Sequence, residues 1–210
     1  METTRTIEFE NDSTADRILK AAVPLFAEKG YAGVSVREIV KAADVSNVGA
    51  VSYYFGGKEG LYLAILRQHF ERVHRLAHKI HRDTDSPVEK LKLIFRAIGE
   101  TYQNSPYTAR LLFNGINQPG KFSPEINKGI LGIQQISKDI LADGIKRGIF
   151  RQNMDLGSMA LVLHSIAQFA FLMPSFSRPL LPEGEDAFHR YLEQAMACFF
   201  SGILAGGSQG

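Results

Sequence analysis

Residues 35–61, SVREIVKAADVSNVGAVSYYFGGKEGL, limit what this chain can fold into more than any other stretch, because helix starts, a forced turn and a double-glycine stop follow one another closely. Ser35 can cap the free amides of the turn after it, and Glu38 stands three residues on, the capping-box spacing. A helix therefore begins at Val36. Val36, Ile39, Val40 and Ala43 fall on one face of it, while Arg37, Glu38 and Lys41 point away, towards solvent or a polyanion. Asp44 ends this helix, since Asp tolerates the left-handed conformation of a sharp exit, and Val45 can plug inward as the chain turns through Val45 and Ser46.

Asn47 is a good cap for a second helix, in which Val48, Val51 and Phe55 share the inward face. Gly49, Ala50, Ser52, Tyr53 and Tyr54 then make up the outward face. Small residues there let the backbone approach a groove, and hydroxyls and rings offer contacts to phosphates, base edges and thymine methyls. Gly56 and Gly57 break the helix. Lys58 and Glu59 open the next one, whose free amides and positive dipole end suit a phosphate, with Lys58 adding charge. The same stretch is also compatible with a plain three-helix packing unit without a ligand, but the agreement of so many cues in register favours a DNA-reading head.

Residues 14–66 resemble the amino-terminal domain of the TetR family of bacterial transcriptional regulators, through LFAEKGYAGVSVREIVKAADVS followed by YYFGGKEGLYLAIL. The joint, the aromatic triplet and the Lys-Glu helix start occur in the family's order. Three departures stand out: Asp44 where glycine is usual, one extra residue between Val45 and Tyr53, and Pro24 inside the first helix. The resemblance implies an all-α chain, with a three-helix helix-turn-helix domain followed by a larger helical ligand-binding and dimerisation domain. It implies that Ser35, Arg37, Tyr53, Tyr54 and Lys58 set position on phosphates while Asn47, Gly49, Ala50 and Ser52 face the bases.

Taken from its start, the chain divides into an acidic arm at residues 1–13, a DNA-binding domain with its linking helix at 14–82, and a regulatory domain at 83–210. Their formal charges are −3, +5 and 0, so the positive excess lies with the reading head although the whole chain carries only +2. The arm lacks the apolar core and basic start of a secretory signal, and a single cysteine, Cys198, cannot form an internal disulfide. A cytoplasmic location fits both features. Thr14 or Ser13 can cap the first helix, where Ile18, Ala22, Leu25, Phe26 and Lys29 step along one face until Gly30, and Pro24 is expected to kink it.

The linking helix is predicted from Lys58 to about His81. His74, His78 and His81 share a stripe that could hold a metal, but Arg72, Arg75, Lys79 and Arg82 surround them and no acid or thiol completes a set, so no metal is assigned. After the turn-rich residues 83–87, helices are predicted at 88–103, 107–117, 124–147, 156–173 and 185–204, with no alternating strand pattern.

Residues 156–177 hold no formal charge. His164, Ser158, Ser165, Gln168 and Pro174 interrupt them, which argues for a buried helix and against a membrane span. The last helix shares the apolar excess, so the two are expected to form a four-helix seam in a two-fold homodimer. The resemblance implies the same interface, with the preceding helices enclosing a small-molecule pocket. The carboxy-terminal half resembles the branch with a CecR-like regulatory domain, through RLLFNGINQPGKFSPEI and the terminal helix. That resemblance implies a lining drawn from Phe95, Ile98, Tyr102, Leu112, Phe113, Ile116, Ile133, His164, Gln168, Phe169 and Phe171. Such a pocket suits a hydrophobic ligand, with His164 and Gln168 as polar handles.

Catalytic and cofactor motifs are missing: no GxSxG, no GxxxxGK[ST], no HExxH, no paired CxxC and no GxGxxG after a strand. An enzyme is therefore not expected. The expected function is that of a homodimeric repressor released from an inverted-repeat operator in double-stranded DNA by a small hydrophobic inducer. The alternatives are a helical ligand-binding or interaction protein that has lost DNA recognition, and an activator on the same scaffold.

Overall fold

In a computed structural model the described residues are 13–117, 120, 122–181, 183–184 and 187–205. The acidic arm thus lies, but for Ser13, outside them. The elements are α1 (Thr14–Lys29), α2 (Val36–Ala42), α3 (Ala50–Phe55), α4 (Lys58–Asp83), α5 (Pro87–Asn104), α6 (Pro106–Asn117), α7 (Ser123–Lys146), α8 (Leu156–Leu172), α9 (Pro174–Ser177) and α10 (Ala187–Ile203). A 3-10 turn, Arg178–Leu180, follows α9; neither it nor α9 carries a helical period long enough to be anticipated. Contacts divide the chain into two compact units, ending and beginning at Ile65 and Leu66. This division falls inside α4, earlier than the turn at residues 83–87, because Phe70, Ala77 and Ile80 of α4 are buried with the later helices.

The first unit is built as its caps dictate. Ser13 and Ser35 both form capping boxes, with Asp16 and Glu38 returning to their amides, and α1 continues through Pro24 until Gly30. Ile18, Ala22 and Phe26 of α1 close over Ile39 and Val40 of α2 and Val51 of α3. Phe26, Tyr31 and Tyr62 add an aromatic cluster, with Phe26 and Tyr62 edge to face at 5.1 Å. Lys29, at the end of the period that Ile18, Ala22 and Phe26 follow, is exposed and pairs with Glu38 at 2.8 Å. That ammonium, together with the amide and hydroxyl of Ser35, holds the Glu38 carboxyl down to about 2.

The second unit packs α5 and α8 at its centre, with α7 and α10 against them. Phe95, Leu91, Leu141, Phe150, Leu163 and Phe200 fill its core. Ser86 and Asp155 cap α5 and α8 through the amides of Glu89 and Ser158, so both helices start within a residue of their expected positions. The Tyr191 hydroxyl donates to the Ile166 carbonyl at 2.6 Å, which fixes α10 on α8. The chain leaving α7 meets the chain leaving α10 in an isolated bridge between Phe150 and Leu204.

Only one of the two carboxy-terminal helices keeps an apolar excess outside. On α8, Leu161, Val162 and Phe169 are exposed, and beyond it Phe176 and Leu180. On α10, Leu192, Phe199, Phe200 and Ile203 are buried, and no large apolar side chain is exposed among the described residues of that helix. Its exposed residues are the polar His189, Arg190, Glu193 and Gln194 in the first half and the small Ala197, Cys198, Ser201 and Gly202 in the second. No helix among the described residues is long and apolar enough to cross a membrane.

Candidate nucleic-acid interface and ligand cavity

The joint between α2 and α3 is held from α1. Asp44 has φ of 52°, the left-handed exit, and the amides of Asp44 and Val45 donate back to the Lys41 and Val40 carbonyls at 3.2 and 2.9 Å. This pairing is the Schellman arrangement that closes a helix end. Arg17 then clamps the same end. Its Nε and Nη2 donate to the Ala43 carbonyl at 3.0 and 2.8 Å, and Nη2 also reaches the Asp44 carbonyl and carboxylate. A guanidinium at the negative end of α2 is favoured by the helix dipole.

Beyond the joint the structure corrects several expectations. Asn47 does not cap a helix: its Oδ1 accepts from the Gly49 amide at 2.8 Å, an Asx turn, and α3 starts three residues later at Ala50. Val48, expected inside, is therefore 46% exposed, whereas Ala50, expected to face bases, is 6% exposed and packs inward with Val51. Gly49, Ser52, Tyr53 and Tyr54 are on the outside as expected. Tyr53 is 82% exposed and meets the Tyr54 ring edge to face at 4.9 Å. Gly56, with φ of 72°, ends α3.

The cations also sort differently from expectation. Lys58 does not extend as a free charge, because its Nζ donates to the Tyr31 and Val34 carbonyls at 2.9 and 2.8 Å and lies 4.3 Å from the Tyr31 ring centroid. It ties the loop between α1 and α2 to the start of α4. Ser35 is likewise committed, its hydroxyl donating to the Glu38 carboxylate at 2.8 Å. Arg37 and Lys41, one helical turn apart on the exposed side of α2, remain available to phosphates. Lys41 was absent from the expected contact set, although its outward position was legible from the period of α2.

A cavity of about 240 Å³ lies within the second unit, walled by α4, α5, α6, α7 and α8. Ile98, Tyr102, Leu112, Ile133, His164 and Gln168 line it as expected. Phe95 does not, being wholly buried in the core; Phe113 is half-buried away from the lining. Phe169 is 48% exposed against Phe176, and Phe171 stacks between Tyr102 and Phe188. The side chain of Ile116 lies outside the described residues.

The expected lining omitted α4, which contributes His69, Phe70, Val73, Ala77 and Ile80. The Phe70 ring can sit close over α7 because Gly129 faces it, where a Cβ would come within 2.4 Å. Among the described lining residues none is Lys, Arg, Asp or Glu. The polar side chains of the lining, all uncharged, are His69, Thr101, Tyr102, Gln134, Ser137, His164, Ser165 and Gln168. Ser137 Oγ and His164 Nε2 are 2.9 Å apart in a buried pair, and burial holds the His164 imidazole down to about 4. His69 is buried and its Nδ1 has no partner; burial, with Arg72 adding to it, lowers this imidazole to about 4 as well. Both rings are therefore neutral at pH 7.

Residues 18–65 match the family described as bacterial regulatory proteins, tetR family. Over 189 residues, 87% of this chain and 90% of the relative, the chain is 31% identical to the "Probable HTH-type transcriptional regulator YttP" of Bacillus subtilis. It is 27% identical over 161 residues, 75% of this chain and 76% of the relative, to the HTH-type transcriptional repressor NicS of Pseudomonas putida. Its fold is similar to that of the transcriptional regulator FadR from Bacillus subtilis in complex with stearoyl-CoA, with a TM-score of 0.74 and 19% identity over 92% of this chain and 98% of that one.

Proposed function

The chain belongs to the TetR family of bacterial regulatory proteins, and from that premise we propose that it is a homodimeric repressor released from its operator by a small apolar molecule. It is a transcriptional regulator and not an enzyme, as its relatives are. The observation that carries the finer reading is the surface of α3: Gly49, Ser52, Tyr53 and Tyr54 are exposed while Ala50 and Val51 anchor the helix from behind. A short helix of that kind fits a major groove, with the Asn47 amide and Ser52 hydroxyl at base edges and Arg37, Lys41 and the tyrosines on phosphates. Because one such helix reads few bases, a two-fold pair on an inverted repeat supplies the affinity a regulator needs.

The exposed apolar side of α8, with Val162 and Phe169, together with the small exposed residues in the second half of α10, supports pairing of two copies through these helices. The apolar cavity supports the inducer. A ligand that prefers one conformation of the cavity walls lowers operator affinity by its differential binding, and α4, which lines the cavity and continues into the first unit, is the covalent route for that coupling. A cytoplasmic location follows from this role.

A reporter fused to the promoter region bearing the operator tests the sign of regulation. Expression should fall when the protein is supplied, and fall no further than the empty control with Tyr53→Ala. A rise in expression would overturn the repressor reading.

A further inference from the structure

Resting on the reading of the cavity as a ligand site, we propose that it selects an uncharged, mainly apolar molecule bearing one hydrogen-bond acceptor, and that His69 is the residue that reads this acceptor. Two observations carry the argument. The described lining holds no ionic side chain, so a charged ligand group would lose its hydration without a counter-charge. Within that lining His69 is 8% exposed, yet its Nδ1 has no partner.

A neutral imidazole carries one N–H. Placing it on Nδ1 would bury a donor with nothing to receive it, so the favoured tautomer keeps the bare lone pair at Nδ1 and the proton on Nε2. Nε2 is then the nitrogen left for a ligand, and it donates. His164 differs in this respect, because its Nε2 is already engaged by Ser137 at 2.9 Å. Val73 and Phe70, neighbours of His69 on α4, and Ile133 across the cavity surround the ligand's apolar body. Nδ1 stays unpaired whether or not a ligand is bound, so an apolar side chain at residue 69 would be the more stable choice in the empty protein.

Matched probes of one chain length decide the matter: n-octane, n-octanol, the methyl ketone of the same length, and octanoate, titrated by calorimetry into the full-length protein. Octanol and the ketone should bind about tenfold more tightly than octane, the worth of one neutral hydrogen bond, and octanoate more weakly than either. In His69→Leu the ketone-to-octane preference should vanish while octane binding persists, and His69→Gln, which retains a donor, should restore part of it. The unliganded His69→Leu protein should also melt about 2–4 °C higher. Tighter binding of octanoate, or a ketone preference unchanged in His69→Leu, would overturn the proposal. Should His69→Leu not fold, the probe order in the unaltered protein still decides whether an uncharged acceptor is preferred.

Operator binding measured in parallel separates this from the regulatory role. Protein that binds DNA but none of the probes refutes the ligand class alone, and protein that binds the ketone but no DNA refutes the regulator.

Discussion

Asp44 holds a left-handed backbone that glycine adopts without a steric cost, and the Arg17 guanidinium secures the carbonyls on either side of its amide link. Asp44→Gly should accordingly stabilise the protein by about 0.5–1 kcal/mol in a denaturant melt, because the backbone clamp survives and only an exposed ion pair is lost. Asp44→Val should destabilise it, as a β-branched residue cannot accept that conformation. Lys58 presents the opposite balance. Its removal takes a donor from the Tyr31 and Val34 carbonyls, so Lys58→Ala should cost about 1–3 kcal/mol of stability. The salt dependence of DNA binding by the folded variant should stay nearly unchanged, whereas Arg37→Ala and Lys41→Ala should each flatten it by about one phosphate. Salt titrations of the three variants measure this directly; a flattening by Lys58→Ala equal to that of Arg37→Ala would return Lys58 to the phosphate contacts.

Among the elements, those whose ends carry their own chemistry were legible in the sequence. Ser35 with Glu38 and Asp155 each state where a helix begins, and Gly30 and Gly56 state where one ends. The start of α3 was not legible, because Asn47 can satisfy either a helix amide or the amide two residues on, and it takes the nearer one. The cavity was half legible for a different reason. Periodicity marks which face of α5 or α8 turns inward but not whether a ring such as Phe95 ends in the core or at a void, and the inward face of α4 reads the same whether it meets protein or a ligand.

The same ambiguity affects the proposed pairing of copies, where α8 and α10 look equally apolar in sequence but only α8 leaves large side chains outside. Val162→Glu and Phe169→Glu should therefore shift sedimentation from dimer to monomer without loss of helical signal, since both project from the exposed side of α8. Retention of the dimer in both variants would exclude that side from the interface.

For the whole molecule, the two buried imidazoles set an acid limit. In the unfolded chain each charges near 6.5, while in the folded protein both stay neutral down to about 4. Their contribution is thus fully present above pH 6.5 and is lost as the pH falls through that window towards 4, by roughly 3 kcal/mol for each ring. Melting temperature against pH should show this decline, and His69→Leu should remove about half of it.

The claim on which the rest depends is that α3 from two copies reads one duplex, and selection from random double-stranded DNA by the purified protein tests it most directly. The enriched sequences should converge on an inverted repeat with half-site centres about one helical turn or more apart, and Tyr53→Ala should weaken binding to them while leaving stability within about 0.5 kcal/mol. Failure to enrich any sequence, or enrichment of a single asymmetric site bound equally well by Tyr53→Ala, would contradict the account.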